Sequence, residues 1–253
     1  MGRLVFPWKL WYPIPQTSAR GKEVLNMNLF RQRGVLPFLL AEGALYGAFL
    51  WRDLSPGGAG STPLKYAAIL LCALFALLWA ILGGGDRLTA AALLLAAGAD
   101  TFLLALDRDY LLGMLLFCGV QLCWFLRLRA LCRRSFWAAR LGLFLLSLGA
   151  LAALGLWNSL NVLSLFYFAN FACNTALSLS RRWEGPLRLL PPGLVLYLCC
   201  DLCVAAFQFP QALPALYPFV QVGMWLFYLP GQVLLALSGL PLSGQKLSRG
   251  DRL

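Results

Sequence analysis

The sequence predicts an all-α integral membrane protein, a bundle of eight transmembrane helices with both termini in the cytoplasm. Three observations lead there. Of the 253 residues, 60% are hydrophobic and only 12% charged, with a mean hydropathy of +0.74, too apolar for a water-soluble domain. The apolar residues gather into runs at 34–50, 64–83, 88–106, 110–126, 138–156, 158–180, 187–207 and 212–238, each near the length of about 20 residues that spans a bilayer. These runs are continuous and rich in Leu and Ala rather than alternating, which excludes strands. The third observation is where the basic residues fall.

Residues 1–33 precede the first span as a basic, aromatic cytoplasmic segment (FPWKLWYPIP) with no apolar stretch of signal-peptide type. Two readings of it stay open: an interfacial segment, or an over-long gene model whose true start is Met27. The membrane domain covers 34–239. Its first span carries Glu42, and the loop GGAGSTP leads to the second, headed by Pro63. GGGDR (83–87) is a short turn into the third span, which holds Asp100 in AAGADTFLLAL. Span four places Gly113, Phe117, Gln121 and Trp124 on one side. An arginine-rich loop then leads to span five. Tyr167, Asn170, Asn174 and Ser178 form one polar stripe on span six; Tyr197 and Asp201 share a face of span seven; Gln221, Trp225, Tyr228 and Gln232 line span eight. Residues 240–253 form a cytoplasmic tail.

The net charge of +11 is distributed by side of the membrane, which argues against a nucleic-acid partner. Arg3, Lys9, Arg20, Lys22, Arg31 and Arg33 precede span one. Arg87, the group Arg127, Arg129, Arg133, Arg134 and Arg140, then Arg181, Arg182 and Arg188, and finally Lys246, Arg249 and Arg252 fall in loops on that same side. Of the 21 basic residues, the opposite side holds Arg52, Lys65 and Arg108 alone. The positive-inside rule puts both termini in the cytoplasm and requires an even number of spans. In a bacterium the membrane would be the cytoplasmic one.

There is no histidine in the chain. That removes Ser-His-Asp triads, Cys-His pairs and the histidine zinc sites of membrane hydrolases, and neither metal nor cofactor is expected. The eight cysteines lie mainly inside spans, and the Cys200–Cys203 spacing reads as packing within an apolar helix. Acid and amide chemistry remains. Glu42, Asp100 and Asp201 lie inside spans, where a charge costs roughly 2.5–3.5 kcal/mol on insertion scales. Asp100 and Asp201 stand about 12 and 14 residues into outward-running spans, so they share a depth and could share a site. A purely structural role, interhelical hydrogen bonding worth about 0.6–2 kcal/mol per contact, would be met more cheaply by amides.

At these residues the chain resembles the lysoplasmalogenase-like (YhhN) family of eight-span membrane proteins, from about residue 60 to 239. Pro63-Leu64 resembles its K-P-L, with Thr62 in place of Lys. Gly98-Ala99-Asp100 resembles its G-D-x-x-L-L with Ala99 inserted. Gly113, Phe117, Gln121 and Trp124 fall at the spacing of G-x3-F-x3-H-x2-Y, with Gln121 for His and Trp124 for Tyr. Cys200-Asp201, Ala205 and Phe209 resemble S-D-x3-A-x3-F; Tyr228, Gln232 and the following LLALSG resemble Y-Y-x-A-Q with its short apolar sequel.

The resemblance implies hydrolysis of the vinyl-ether bond of a lysoplasmalogen, giving a fatty aldehyde and a glycerophospho-headgroup, with Asp100 and Asp201 catalytic and a membrane lipid as substrate. One carboxyl, kept protonated by the low dielectric, would protonate the outer vinyl carbon; the ionised other would stabilise the cation and activate water. Gln121, Asn174, Tyr197, Tyr228 and Gln232 are the candidates for orienting water or headgroup. Gln121 cannot shuttle a proton as histidine does. Two alternatives therefore stand: a catalytically silent lipid-binding or scaffold homologue, and a proton-coupled small-molecule carrier.

Overall fold

A computed structural model describes residues 34–55, 60–132, 136–208, 214–215 and 217–241. The segment 1–33, the tail beyond 241 and Phe209 lie outside the described residues. Eight principal helices stand where the hydropathy places them: α1 Val35–Leu54, α2 Thr62–Leu82, α3 Arg87–Asp100, α4 Tyr110–Leu131, α5 Trp137–Ala153, α6 Ser159–Leu179, α7 Leu190–Phe207 and α8 Tyr217–Ser238. α3 continues without a break as a wide π turn, Thr101–Ala105, and a 3₁₀ turn, Gly185–Leu189, leads into α7. Among the described residues there is no strand. Seven helices are long and apolar enough to cross a membrane, making this a multi-pass membrane protein; α5, at 17 residues, is the shorter exception to the expected eight. It measures about 26 Å against a hydrocarbon core of about 30 Å.

Hydropathy alone does not say which face of such a helix turns inward; side-chain size does. On α2, Ala68, Cys72, Ala73 and Ala76 are buried while Leu70, Leu74 and Leu78 face outward. On α3, Ala92, Ala96 and Ala99 are buried and Leu94 is exposed. Lipid tails are as apolar as leucine, so burying leucine gains little. Small residues instead let backbones approach and dispersion forces act. The closest pair is α7 and α8. A Cβ on Gly231 would stand 3.2 Å from both Gly193 O and Tyr197 N, and one on Gly193 would stand 3.0 Å from the Leu235 side chain.

The prolines are placed where the backbone can bear them. Pro63, and Pro191 with Pro192, fall in the first turns of α2 and α7, where no helical N–H is owed. Pro230 lies inside α8 and cannot donate to the carbonyl of Leu226. Tyr46 Oη of α1 donates to that carbonyl instead, at 3.3 Å, so one side chain both satisfies the freed oxygen and docks α1 on α8.

Several basic side chains assigned to loops prove to be interior. Arg127, inside α4, is 2% exposed. Its Nε pairs with Asp86 Oδ2 at 2.8 Å, Nη1 donates to Ser238 Oγ at 2.8 Å and Nη2 to Ser238 O at 2.6 Å. Asp86 is also the N-cap of α3, accepting from Thr89 N at 2.9 Å, and its own N–H donates to Gly239 O at 2.8 Å. Lys65 of α2 is buried against Asp53 at 2.6 Å and lies over the Trp225 ring. Arg140, in the first turn of α5, is buried too. A guanidinium can enter an apolar bundle where its five donors meet fixed acceptors, and loop composition does not reveal those acceptors. Conversely Gln221, expected on the interior stripe of α8, is exposed.

Replacing Arg127 by Met should lower stability by about 3–5 kcal/mol, because the Asp86 carboxylate keeps its place and loses the guanidinium. Thermal unfolding of the detergent-purified protein would show it as a lowered midpoint.

Candidate functional site

The two spans that carry the aspartates reach the same interior layer from different sides. Asp100 ends the regular part of α3 and is 7% exposed; Asp201 lies in the C-terminal half of α7 and is partly buried. Each carboxyl is held by a tyrosine from another helix. Tyr228 Oη of α8 donates to Asp100 Oδ2, and Tyr167 Oη of α6 donates to Asp201 Oδ2 at 2.6 Å.

Between them stands Tyr197 of α7, 1% exposed. Its ring meets Tyr228 at 5.0 Å and Phe171 at 5.1 Å, both edge-on, and Phe117 at 6.4 Å. Phe117 and Phe171 also touch Tyr167, at 5.8 and 5.7 Å. The layer is thus an aromatic box from α4, α6, α7 and α8 with a carboxylate at two of its corners. The sequence pairs Tyr197 with Asp201 by helical spacing, but the residue bonded to Asp201 is Tyr167. That tyrosine heads the polar stripe of α6 and was not among the candidate site residues; a stripe shows the face, not the partner. The Tyr197 hydroxyl interacts electrostatically with Tyr228 but makes no hydrogen bond of good geometry.

Asp100 owes its position to the backbone just beyond it. Thr101–Ala105 is a π turn in which Leu106 N donates to Thr101 O at 2.9 Å, one residue further than an α-helix allows. Such a turn is how a helix absorbs one added residue without displacing both its ends. It directly follows Asp100. Thr101 Oγ1 bonds Ala97 O at 2.8 Å and Tyr66 Oη of α2 at 2.7 Å, pinning the wide turn to its neighbour.

One turn from the aromatic box, toward Arg127, lies an amide network. Asn174 Nδ2 of α6 donates to Gln121 Oε1 at 2.9 Å and to Gln121 O at 3.0 Å. Asn174 Oδ1 accepts from Arg140 Nη2 at 2.6 Å, and Arg140 Nη1 donates to Asn170 Oδ1 at 2.9 Å. Arg140 therefore orients Asn174, and Asn174 orients Gln121. Gln232 of α8 is 1% exposed and stands outside this network. Of the candidate residues, the structure thus joins Asp100 to Tyr228 and Gln121 to Asn174, sets Tyr197 between the carboxylates, and leaves Gln232 alone. Glu42, for which the sequence offers no companion, accepts from Cys72 Sγ at 3.2 Å, joining α1 to α2.

No three His, Cys, Asp or Glu residues gather as a metal-ligand cluster among the described residues. A surface recess at Leu78, Trp79, Leu82 and Gly83 lies at the end of α2 remote from the Tyr66–Thr101 contact and away from the carboxylates.

The sequence model described as the YhhN family matches residues 60–239, a stretch that holds both aspartates and all five orienting candidates. No curated protein and no solved structure matches.

Asn174→Leu should remove the acceptor of Arg140 Nη2 and the donor to Gln121 Oε1, at a cost of about 2 kcal/mol from two lost buried bonds. Asn174→Asp, which keeps the acceptor for Arg140, should cost less. Unfolding midpoints of the two variants side by side check the order.

Proposed function

Since this chain belongs to the YhhN family, we propose that it is a membrane-embedded ether-lipid hydrolase of lysoplasmalogenase type, using Asp100 and Asp201 as its acid/base pair. The observation that supports the reading is the pair itself: carboxyls on α3 and α7 are each fastened at Oδ2 by a tyrosine from a further helix, and the two tyrosines belong to one aromatic cluster. Oδ1 of each is the oxygen left for proton transfer.

The reaction follows from what such a pair can do. A protonated carboxyl adds its proton to the outer carbon of the vinyl ether, and the ether oxygen stabilises the cation at the inner carbon. The ionised carboxylate lies near that charge and takes a proton from the attacking water. The resulting hemiacetal collapses to a fatty aldehyde and the free glycerol hydroxyl, with one water consumed. Two carboxyls in unequal surroundings suit this division; Asp100 is the more deeply buried and Asp201 the more open. Tyr228 and Tyr167 keep the two carboxyls facing the reacting carbon rather than each other, which is where most of the orientational gain arises.

The family resemblance places a histidine where Gln121 stands, and this favours a second reading: a lipid-binding homologue without hydrolytic activity. In the hydrolase reading Gln121 serves as an oriented donor and carries no proton. We also propose that α5 completes eight spans and that both termini are cytoplasmic, in keeping with the basic residues on that side. Reporter fusions at the two ends should then both report cytoplasm, and opposite reports would overturn the even count.

Purified protein should release aldehyde from a lysoplasmalogen and none from the saturated-ether analogue. Asp100→Asn and Asp201→Asn should each lower release at least about 100-fold, the usual scale of a lost general acid or base. Undiminished release by both variants would overturn the assignment. Intact lipid recovered from the wild-type protein after long incubation would favour the silent binder.

A further inference from the structure

Lys65 is 8% exposed, close to the start of α2. Its ammonium pairs with Asp53 Oδ2 of α1 at 2.6 Å. It also stands 4.6 Å over the Trp225 ring of α8 and 5.6 Å over the Phe49 ring of α1. A charge buried in an apolar bundle needs partners, and the carboxylate and the two ring faces supply them. The hydrolase chemistry uses none of these four side chains.

What they reach is Tyr228. Trp225 and Tyr228 lie three residues apart on α8, with their rings edge to face at 5.8 Å and 78°. Trp225 is half-buried, and its ring is met from other helices by Lys65 and, edge-on at 6.4 Å, by Phe49. An aromatic ring is negative on its face and positive at its edge, so a cation fixed by Asp53 selects one orientation of the indole. That orientation sets what the indole offers to the Tyr228 ring, whose hydroxyl bonds Asp100.

The other partner of this bond is held from the same turn of α2. Tyr66, next to Lys65, bonds Thr101 Oγ1 at 2.7 Å, and Thr101 follows Asp100 in the chain. Residues 65 and 66 thus brace both sides of the Tyr228–Asp100 bond, one through a ring and the other through the backbone.

We infer that Lys65 is a positioning residue: held by Asp53, it sets the Trp225 indole and, through it, the Tyr228 hydroxyl on Asp100. The consequence for catalysis rests on the hydrolase reading; the control of the bond does not. Asp53 lies on α1, ahead of the residues 60–239 that match the family, so α1 acts on the site from outside the aromatic box. Catalytic groups work within about 0.5 Å of their productive geometry, which leaves little room for a loose tyrosine.

The bond and the activity are read separately, on the full-length protein in nanodiscs. Infrared spectra of protein carrying isotope-labelled aspartate should contain one carboxyl band that Asp100→Asn removes and Tyr228→Phe displaces. Lys65→Met and Asp53→Asn should displace that band in the same direction as Tyr228→Phe. Lys65→Arg, whose guanidinium stacks on an indole and pairs with a carboxylate, should leave it in place. Phe38→Ala removes the ring stacked on Phe75 at 4.0 Å, ~16 Å along α1 from Phe49. It loosens α1 on α2, so it should lower the unfolding midpoint without moving the band. Should Lys65→Met fail to fold, Trp225→Leu breaks the same link and should displace the band. A band unmoved by Lys65→Met, Asp53→Asn and Trp225→Leu, or moved equally by Phe38→Ala, would overturn the inference. In aldehyde release, Lys65→Met should lower kcat about 10- to 100-fold with KM unchanged, and Lys65→Arg should keep it. A displaced band with no release by the wild type would overturn the hydrolase and leave the positioning role standing. Release with an unmoved band would overturn the positioning role alone.

Discussion

The Arg127 guanidinium holds three helices at one height. It bonds the N-cap of α3 through Asp86 and the last turn of α8 through Ser238, from its own seat in α4. In a bundle whose lipid-facing and inward faces are both apolar, burial alone does not choose a vertical register; sliding a helix by one turn exchanges one leucine for another. A buried ion pair with fixed hydrogen bonds does choose it, because a displaced partner leaves a charge in low dielectric. Measured from that level, Tyr228 meets Asp100 and Phe117 meets Tyr197.

A second device operates beside the first carboxylate. The π turn at Thr101–Ala105 widens the helix just beyond Asp100, and Gly113 of the next helix packs tightly on Leu103 within it. Wide turns of this kind often accompany functional positions. Here the turn is braced by Thr101 and Tyr66, and the carboxylate is presented from a defined backbone.

Much of the architecture was legible in the chain. Eight apolar runs became eight helices, with ends within a few residues of those expected except at α4, which runs five residues further to Leu131, and at α8, which begins five residues later at Tyr217. Asp100 and Asp201, matched in depth by counting, are each held by a tyrosine, and the two tyrosines belong to one cluster of rings. What spacing could not provide was pairing. Tyr197 is one turn from Asp201 on the same helix, yet Tyr167 on another helix makes the bond, because side chains on one face point outward from a common axis while a neighbouring helix points toward it. Arg127, Arg140 and Lys65 looked like loop charges since each stands near the end of an apolar run. Their long apolar stems let the charge reach acceptors on other helices.

The sequence by itself determined the class: a multi-pass helical membrane protein, and a short inventory of acids and amides that had to be reckoned with. These follow from transfer free energies and helical period, which act residue by residue. The tertiary structure alone decided which tyrosine holds which carboxyl, and that an arginine from α5 orients Gln121 through Asn174. Those are distances between groups on different helices. They depend on register and rotation about the helix axis, and neither is encoded by apolarity that is nearly the same on every face.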